Sequence, residues 1–259
     1  MFAEKKRQEE WEMGSQGERL DKAVSNRTSY TRKEVHALAG RGLVLVNGTP
    51  VRDCAMKVTE QDQITVDGNW LEMARFSYLM LNKPKGVVCA TEDAALPTVL
   101  DLVPEAFRRK GLFPAGRLDK DTEGFVLITN DGALAHRILS PKSHVPKTYC
   151  ATLDKPFPAR LSQEFAQGVL LPPERPREGE KPFHCMPALA RQAGEDPRMV
   201  QVVLRQGMYH QVRRMFAVYR LQVIRLVREK IGGLPLDPAL SEGGCRRLTR
   251  EELEKLEER

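Results

Sequence analysis

Cysteine is scarce and scattered. Cys54, Cys89, Cys150, Cys185 and Cys245 are the only five in 259 residues. No two form a Cys-x-x-Cys pair, which excludes a zinc knuckle or a dithiol redox site, and an odd, dispersed set suits a reducing compartment. Long apolar runs are also missing. The longest, Met215 to Tyr219, has five residues, where a membrane helix needs about 20. The opening MFAEKKRQEEWEMGSQGE holds no apolar core of the kind a secretory signal requires, so the cytoplasm is the expected location. His36, His136, His144, His184 and His210 are spread out and form no metal pattern, and no glycine-rich nucleotide loop is found.

What is present is an ordinary globular composition. Hydrophobic residues make up 41% and charged residues 29%, so a core can form and wholesale disorder is excluded. The length suits one or two domains. The net charge of +6 admits a polyanionic partner. It is unevenly placed. Between Leu204 and Lys230, Arg205, Arg213, Arg214, Arg220, Arg225, Arg228 and Lys230 face only Glu229, a local excess equal to that of the entire chain. Such a strip favours phosphates.

Residues 1–16 read as a charged lead-in. From about 17 to 72 the pattern is helix, then hairpin. Thr31-Arg-Lys-Glu34 has the form of a capping box, Val35 and Leu38 give the helix an apolar edge, and Gly40 is a good stop. Leu43–Val46 is a short strand, and Asn47-Gly48 signals a type I′ turn. Arg19, Lys22, Arg27, Arg32, Lys33 and Arg41 make this segment basic; a solvated helix face explains that as readily as a binding surface. Residues 76–259 read as α+β. Strands are expected at 77–81, 86–90, 125–129, 148–153, 183–191, 199–205 and 223–228, and helices near 132–139, 158–167, 208–219 and 249–257. The strands do not alternate one-to-one with helices, which argues for a mixed, mainly antiparallel sheet. Residues 172–182 form a Pro- and charge-rich loop.

The densest chemistry lies in Gly116-Arg-Leu-Asp-Lys-Asp-Thr-Glu-Gly124. Glycines at both ends permit tight bends. A solvated turn is the bland reading. A calcium loop requires a bidentate Glu at its twelfth position, where Asn130 stands. The third reading is a catalytic carboxylate beside a cleft.

Two resemblances bear on this. Arg19-Leu-Asp-Lys22, the Thr31-Arg-Lys helix and Gly42-Leu-Val-Leu-Val-Asn-Gly48 resemble the S4 RNA-binding domain, which implies RNA contacts from Arg19, Lys22, Arg32 and Lys33. Further on stand Tyr78-Leu-Met-Leu-Asn-Lys-Pro-Lys-Gly86, Gly116-Arg-Leu-Asp119 with Thr122 and Gly124, Lys147-Thr-Tyr149, and Tyr209-His-Gln-Val-Arg-Arg-Met215. In order and spacing these are similar to the RNA pseudouridine synthases, in particular the RsuA branch with its N-terminal S4 domain.

That resemblance implies an isomerase that breaks the N1–C1′ bond of a uridine, turns the base and joins C5 to C1′. It implies no cofactor and no metal. Asp119 is the implied nucleophile, at C1′ or at C6, with Asp121 its nearest rival. Arg213 is the implied partner cation that keeps Asp119 ionised, with Arg214 as its neighbour. Tyr149 is implied to stack on the uracil. Arg117 is implied to fill the gap left by the extruded base, and Leu226 to line the base pocket. His210 is read as structural. The implied partner is ribosomal RNA, most specifically uridine 516 of 16S rRNA, acted on by a monomer. A 23S enzyme of the same chemistry and a non-catalytic rRNA-binding assembly protein are the alternatives.

Overall fold

The computed structural model describes residues 17–71, 73–74, 76–140, 143–173 and 181–258. The charged lead-in, Lys142 and most of the Pro-rich loop lie outside them. The chain forms two compact units. Of the described residues, the first comprises those up to Ser77 together with Pro104–Leu112; the second comprises Tyr78–Val103 and those from Phe113 onward.

In the first unit β1 (Glu18–Arg19) leads into α1 (Leu20–Arg27), followed by α2 (Arg32–Gly40), β2 (Val44–Val46), β3 (Thr49–Pro50), β4 (Lys57–Val58), β5 (Ile64–Val66) and β6 (Asn69–Leu71). β1 pairs with β4, and the other strands form a sheet in the order β3-β2-β5-β6. The capping box at Thr31 is present. Glu34 donates its backbone N–H to the Thr31 hydroxyl at 3.3 Å, and its carboxylate accepts from the Thr31 N–H at 2.7 Å. Asn47 and Gly48 have φ of 52° and 79°, the left-handed pair that a type I′ hairpin demands. Asp67-Gly68 repeats the device between β5 and β6. Leu20, Ala23 and Val24 of α1 and Val35, Leu38 and Ala39 of α2 bury their apolar edges against Val44, Val46, Ile64 and Val66. The returning segment contributes Arg109, whose Nη1 donates to the Ala74 carbonyl at 2.7 Å. Arg27 is not on the exposed basic face: its guanidinium is sequestered against Glu18 at 2.8 Å.

The second unit contains β7 (Tyr78–Lys83), β8 (Phe113–Ala115), β9 (Glu123–Thr129), α3 (Gly132–Leu139), β10 (Lys147–Leu153), α4 (Leu161–Gln167), β11 (Leu170–Leu171), β12 (Phe183–His184), β13 (Leu189–Gln192), β14 (Met199–Leu204), α5 (Gln211–Val218), β15 (Val223–Ile231), β16 (Leu234–Pro235), β17 (Cys245–Arg247) and α6 (Arg250–Lys255). Its main sheet runs β13-β14-β10-β15-β9-β7-β17, with β16 on β15 and β8 on β9. Every named pair in it is antiparallel except β15 with β9. This is the mixed, mainly antiparallel α+β architecture expected from sequence. One apolar cluster joins Phe165 of α4 and Met215 and Phe216 of α5 to Val200, Val202, Ala151 and Leu226 of the sheet. The other joins Leu134 and Ile138 of α3 to Met80, Phe125 and Leu127.

Two strand expectations fail. Residues 86–90 contribute one isolated bridge, Val88 to Thr98, rather than a strand. The expected strand 183–191 is broken into β12 and β13, because Pro187 offers no N–H to a ladder. The helix expected from 208 starts at Gln211, because His210 has φ of 49° and cannot extend it.

Candidate active site

The Gly116–Gly124 loop lies at the point where the parallel pairing of β15 with β9 begins. Val227 faces Glu123 and Arg228 faces Gly124. Gly124 has φ of +100°, and a Cβ there would collide with the backbone of Arg228. This position therefore requires glycine, and it fixes where the loop joins the sheet.

The loop is held from beneath by a buried lysine. Lys83, at the end of β7, is fully buried. Its Nζ donates to the carbonyls of Pro84 and Lys120 at 3.1 Å each and of Thr122 at 2.7 Å. An ammonium has three donors, and all three are used. Burial pushes its pKa down; Cys89, Asp121, Asp119 and Glu123 pull it back up. Two backbone bonds complete the clamp: Gly86 N–H to the Lys120 carbonyl at 2.8 Å, and Thr122 N–H to the Asp119 carbonyl at 3.1 Å. Leu118 is buried beside Cys89, whose sulfur accepts its N–H at 3.3 Å. Of its neighbours, Arg117 is exposed and Asp119 is partly buried. Arg117 has no polar partner among the described residues.

The loop's carboxylates have different partners. Asp119 Oδ1 lies 3.3 Å from His210 Nε2, and its side chain is 29% exposed. Asp121 faces Arg213 at 3.3 Å. Glu123 is held by Arg225 at 2.7 Å. The expected Asp119–Arg213 pair is therefore absent. The physical reason is the tether on Arg213: its Nη1 donates to the Val223 carbonyl at 2.8 Å, and its Nη2 reaches both the backbone and the carboxylate of Asp121. Arg214, one residue on, turns away as expected for a helix and donates to the carbonyls of Pro172 at 2.6 Å and Tyr209 at 3.4 Å.

Tyr149 lies on β10 directly opposite Arg228 of β15. The ladder slips between Thr148 and Tyr149, leaving Glu229 as an extra residue, a bulge of the kind that re-aims side chains. Tyr149 is half-buried against the apolar cluster that includes Leu226, and Leu226 is 4% exposed opposite Ala151. Arg228 is not a surface phosphate ligand. It is buried, its Nε donates to the Phe125 carbonyl at 2.7 Å, and its Nη2 has no hydrogen-bond partner among the described residues. Burial, with Arg228 nearby, pushes the Lys147 ammonium down to about 8. The basic strip seen in sequence is thus partly consumed inside the fold: Arg228 is buried, while Arg213 and Arg225 are tied to acidic side chains.

Sequence reasoning missed two parts of this arrangement. Lys83 stands in the quoted Asn82-Lys-Pro-Lys-Gly86 string, but composition gives no sign that a lysine is fully enclosed. His210 reads as structural in the sequence, yet its Nε2 lies 3.3 Å from Asp119 Oδ1. Its left-handed backbone is a conformation that costs on the order of 1 kcal/mol for a non-glycine residue. Among the described residues no three His, Cys, Asp or Glu side chains cluster as a metal site. No helix among them is long and apolar enough to cross a membrane.

Residues 77–218 match the RNA pseudouridylate synthase family. The chain is 42% identical over 243 residues to an uncharacterized RNA pseudouridine synthase, YtzG, of Bacillus subtilis, covering 93% of this chain and 98% of that protein. It is 41% identical over 240 residues to ribosomal small subunit pseudouridine synthase A of Escherichia coli K12, covering 91% and 98%. A crystal structure of a pseudouridylate synthase superposes with a TM-score of 0.61 at 38% identity, covering 92% of this chain and 99% of that one. The chain belongs to the RNA pseudouridylate synthase family, isomerases that act on RNA.

Proposed function

We propose that this enzyme converts uridine 516 of 16S ribosomal RNA to pseudouridine, with Asp119 as the nucleophile. The small-subunit target rests on likeness to the synthases named for that subunit. The nucleophile rests on one observation: Asp119 is the loop carboxylate that no arginine among the described residues neutralises, partly exposed on a loop clamped by Lys83. Its neighbours Asp121 and Glu123 are each engaged by a guanidinium.

The chemistry needs a covalent hold on the uridine while the base turns. Asp119 attacks C1′ of the ribose or C6 of the base, and the N1–C1′ bond breaks. The uracil rotates and C5 bonds to C1′. The C5 proton leaves, N1 takes up a proton, and the carboxylate is released unchanged. No atom is gained or lost overall. Tyr149 stacks on the base, Leu226 forms the apolar wall behind it, and Arg117 reaches outward to the space the base has left. Arg213 acts through Asp121, as a strut between α5 and the loop.

We further infer that residues 17–72 are an S4-type RNA-binding module and that 76–259 carry the catalysis. Arg32 and Lys33 are exposed and without polar partners among the described residues, which suits phosphate contacts. Arg19 and Lys22 are half-exposed and lie beside Asp21 and Glu18. The test is carbodiimide mapping of pseudouridine in unmodified 16S and 23S rRNA incubated with the purified protein. A new mark at position 516 supports the proposal. A mark confined to 23S rRNA overturns the target while keeping the reaction, and no mark in either RNA overturns both.

A further inference from the structure

The turn ahead of α5 carries an aromatic pair that the isomerisation itself leaves unused. Tyr209 is 55% exposed, against the usual tendency of a large ring to bury. Its ring stacks on that of His210 with centroids 3.8 Å apart and planes 18° from parallel. The inner member of the stack, His210, touches Asp119 through Nε2 at 3.3 Å. The outer member has one face against the imidazole and no other ring partner among the described residues.

This turn is built rather than frayed. The buried Gln211 side chain accepts the Met208 N–H at 3.0 Å, and the Gln211 N–H returns to the Met208 carbonyl at 3.3 Å. Arg214 donates to the Tyr209 carbonyl and is anchored on Pro172. The left-handed φ of 49° at His210 aims the imidazole at the loop while leaving Tyr209 facing solvent. Strain retained in this way needs a use.

Resting on the reading of Asp119 as the reacting group, we propose that Tyr209, backed by His210, is a stacking subsite for the nucleobase next to the target uridine in the RNA chain. A ribose held at Asp119 places its chain neighbour within reach of a ring one stacking layer beyond His210. Extruding the uridine strips that neighbour of a stacking partner, and the phenol ring replaces it. Every base has a π face, so the subsite tolerates any base identity. Tyr209 is a binding residue here. His210 is a positioning residue, acting through the tyrosine ring on one side and Asp119 on the other.

The experiment is a coupled cycle of protein and RNA changes. The probe is a 16S rRNA fragment carrying the mapped target uridine, made intact or with an abasic ribose at the nucleotide on either side. Wild type, Tyr209→Ala and Tyr209→Trp are compared by dissociation constant and by KM and kcat from tritium release. Base–aromatic stacking predicts that Tyr209→Ala weakens binding by ~10-fold, with the larger part of the loss in KM, and that Tyr209→Trp retains affinity. An abasic site at one flank should weaken wild type by a similar factor and leave Tyr209→Ala unaffected. Equal losses for wild type and Tyr209→Ala at both flanks would overturn the subsite. So would a Tyr209→Trp variant as weak as Tyr209→Ala. Tritium release by wild type on the intact fragment reports the proposed reaction separately, because the binding cycle reads stacking whether or not the base is isomerised.

Discussion

Replacing Lys83 by Met tests whether the Gly116–Gly124 loop is held by a buried charge. Methionine fills nearly the same volume and has no donor, so the change removes the ammonium with little effect on packing. Three carbonyls lose a charged donor at 3.1, 3.1 and 2.7 Å. Hydrogen bonds from a charged group contribute ~1.5–3 kcal/mol each, so the gross loss is about 5–9 kcal/mol. The substitution also relieves the desolvation of a fully buried ammonium, several kcal/mol in the opposite direction, so the net destabilisation should be ~2–4 kcal/mol. The loop keeps its bonds from Gly86 to Lys120 and from Thr122 to Asp119, so it should loosen rather than unfold. Misplacement of a reacting group by about 1 Å can cost 10²-fold, which sets an expected kcat loss of ~10- to 100-fold. Lys83 touches no substrate in this account, so KM should change little. Urea unfolding gives the first quantity, and tritium release from 5-tritiated uridine RNA gives the second. A Lys83→Met enzyme as stable as wild type, with kcat within a factor of about two, would refute the clamp, because that loss is far below the ~10-fold minimum expected.

Gly124→Ala should be among the most damaging small substitutions, because its Cβ meets the Arg228 backbone at a φ of +100°. A loss of about 3 kcal/mol or more should lower the melting temperature by ~6 °C or more, and an unchanged melting curve would contradict the parallel pairing there. Lys147 makes a prediction about pH. Its folded-state value of about 8 lies below the ordinary 10.5, so between those values the unfolded chain binds more protons and stability rises with pH. Below about 8 the cost of the buried ammonium is felt in full. Lys147→Met should flatten that rise in a series of urea titrations across the window. The same slope in both proteins would show that Lys147 is not the group responsible.

Local features with short-range causes were legible in the sequence. The capping box at Thr31 and the Asn47-Gly48 turn depend on neighbours within a few residues, and both are present. The strand at 148–153 was found because its β-branched and apolar residues match the pleat. The breaks had equally local causes that the pattern masked. Pro187 interrupts an otherwise strand-like run, and a left-handed His210 delays α5. Long-range choices were less visible. Arg213 was expected on Asp119, but Val223, ten residues further along, supplies the carbonyl that draws its guanidinium toward Asp121. Nothing near Lys83 in sequence announces that its ammonium is enclosed by Pro84 and by two residues of a loop some forty positions away. Likewise Arg228 reads as one more surface cation until the sheet closes over it.

In the proposed reaction, one carboxylate on the clamped loop makes and releases the bond to uridine. Asp119→Asn keeps the shape of that side chain and removes its nucleophilic charge. With 16S rRNA tritiated at uridine C5, this variant should still bind the RNA and release no tritium above background under single-turnover conditions. Tritium release by Asp119→Asn at a rate close to that of wild type would contradict it.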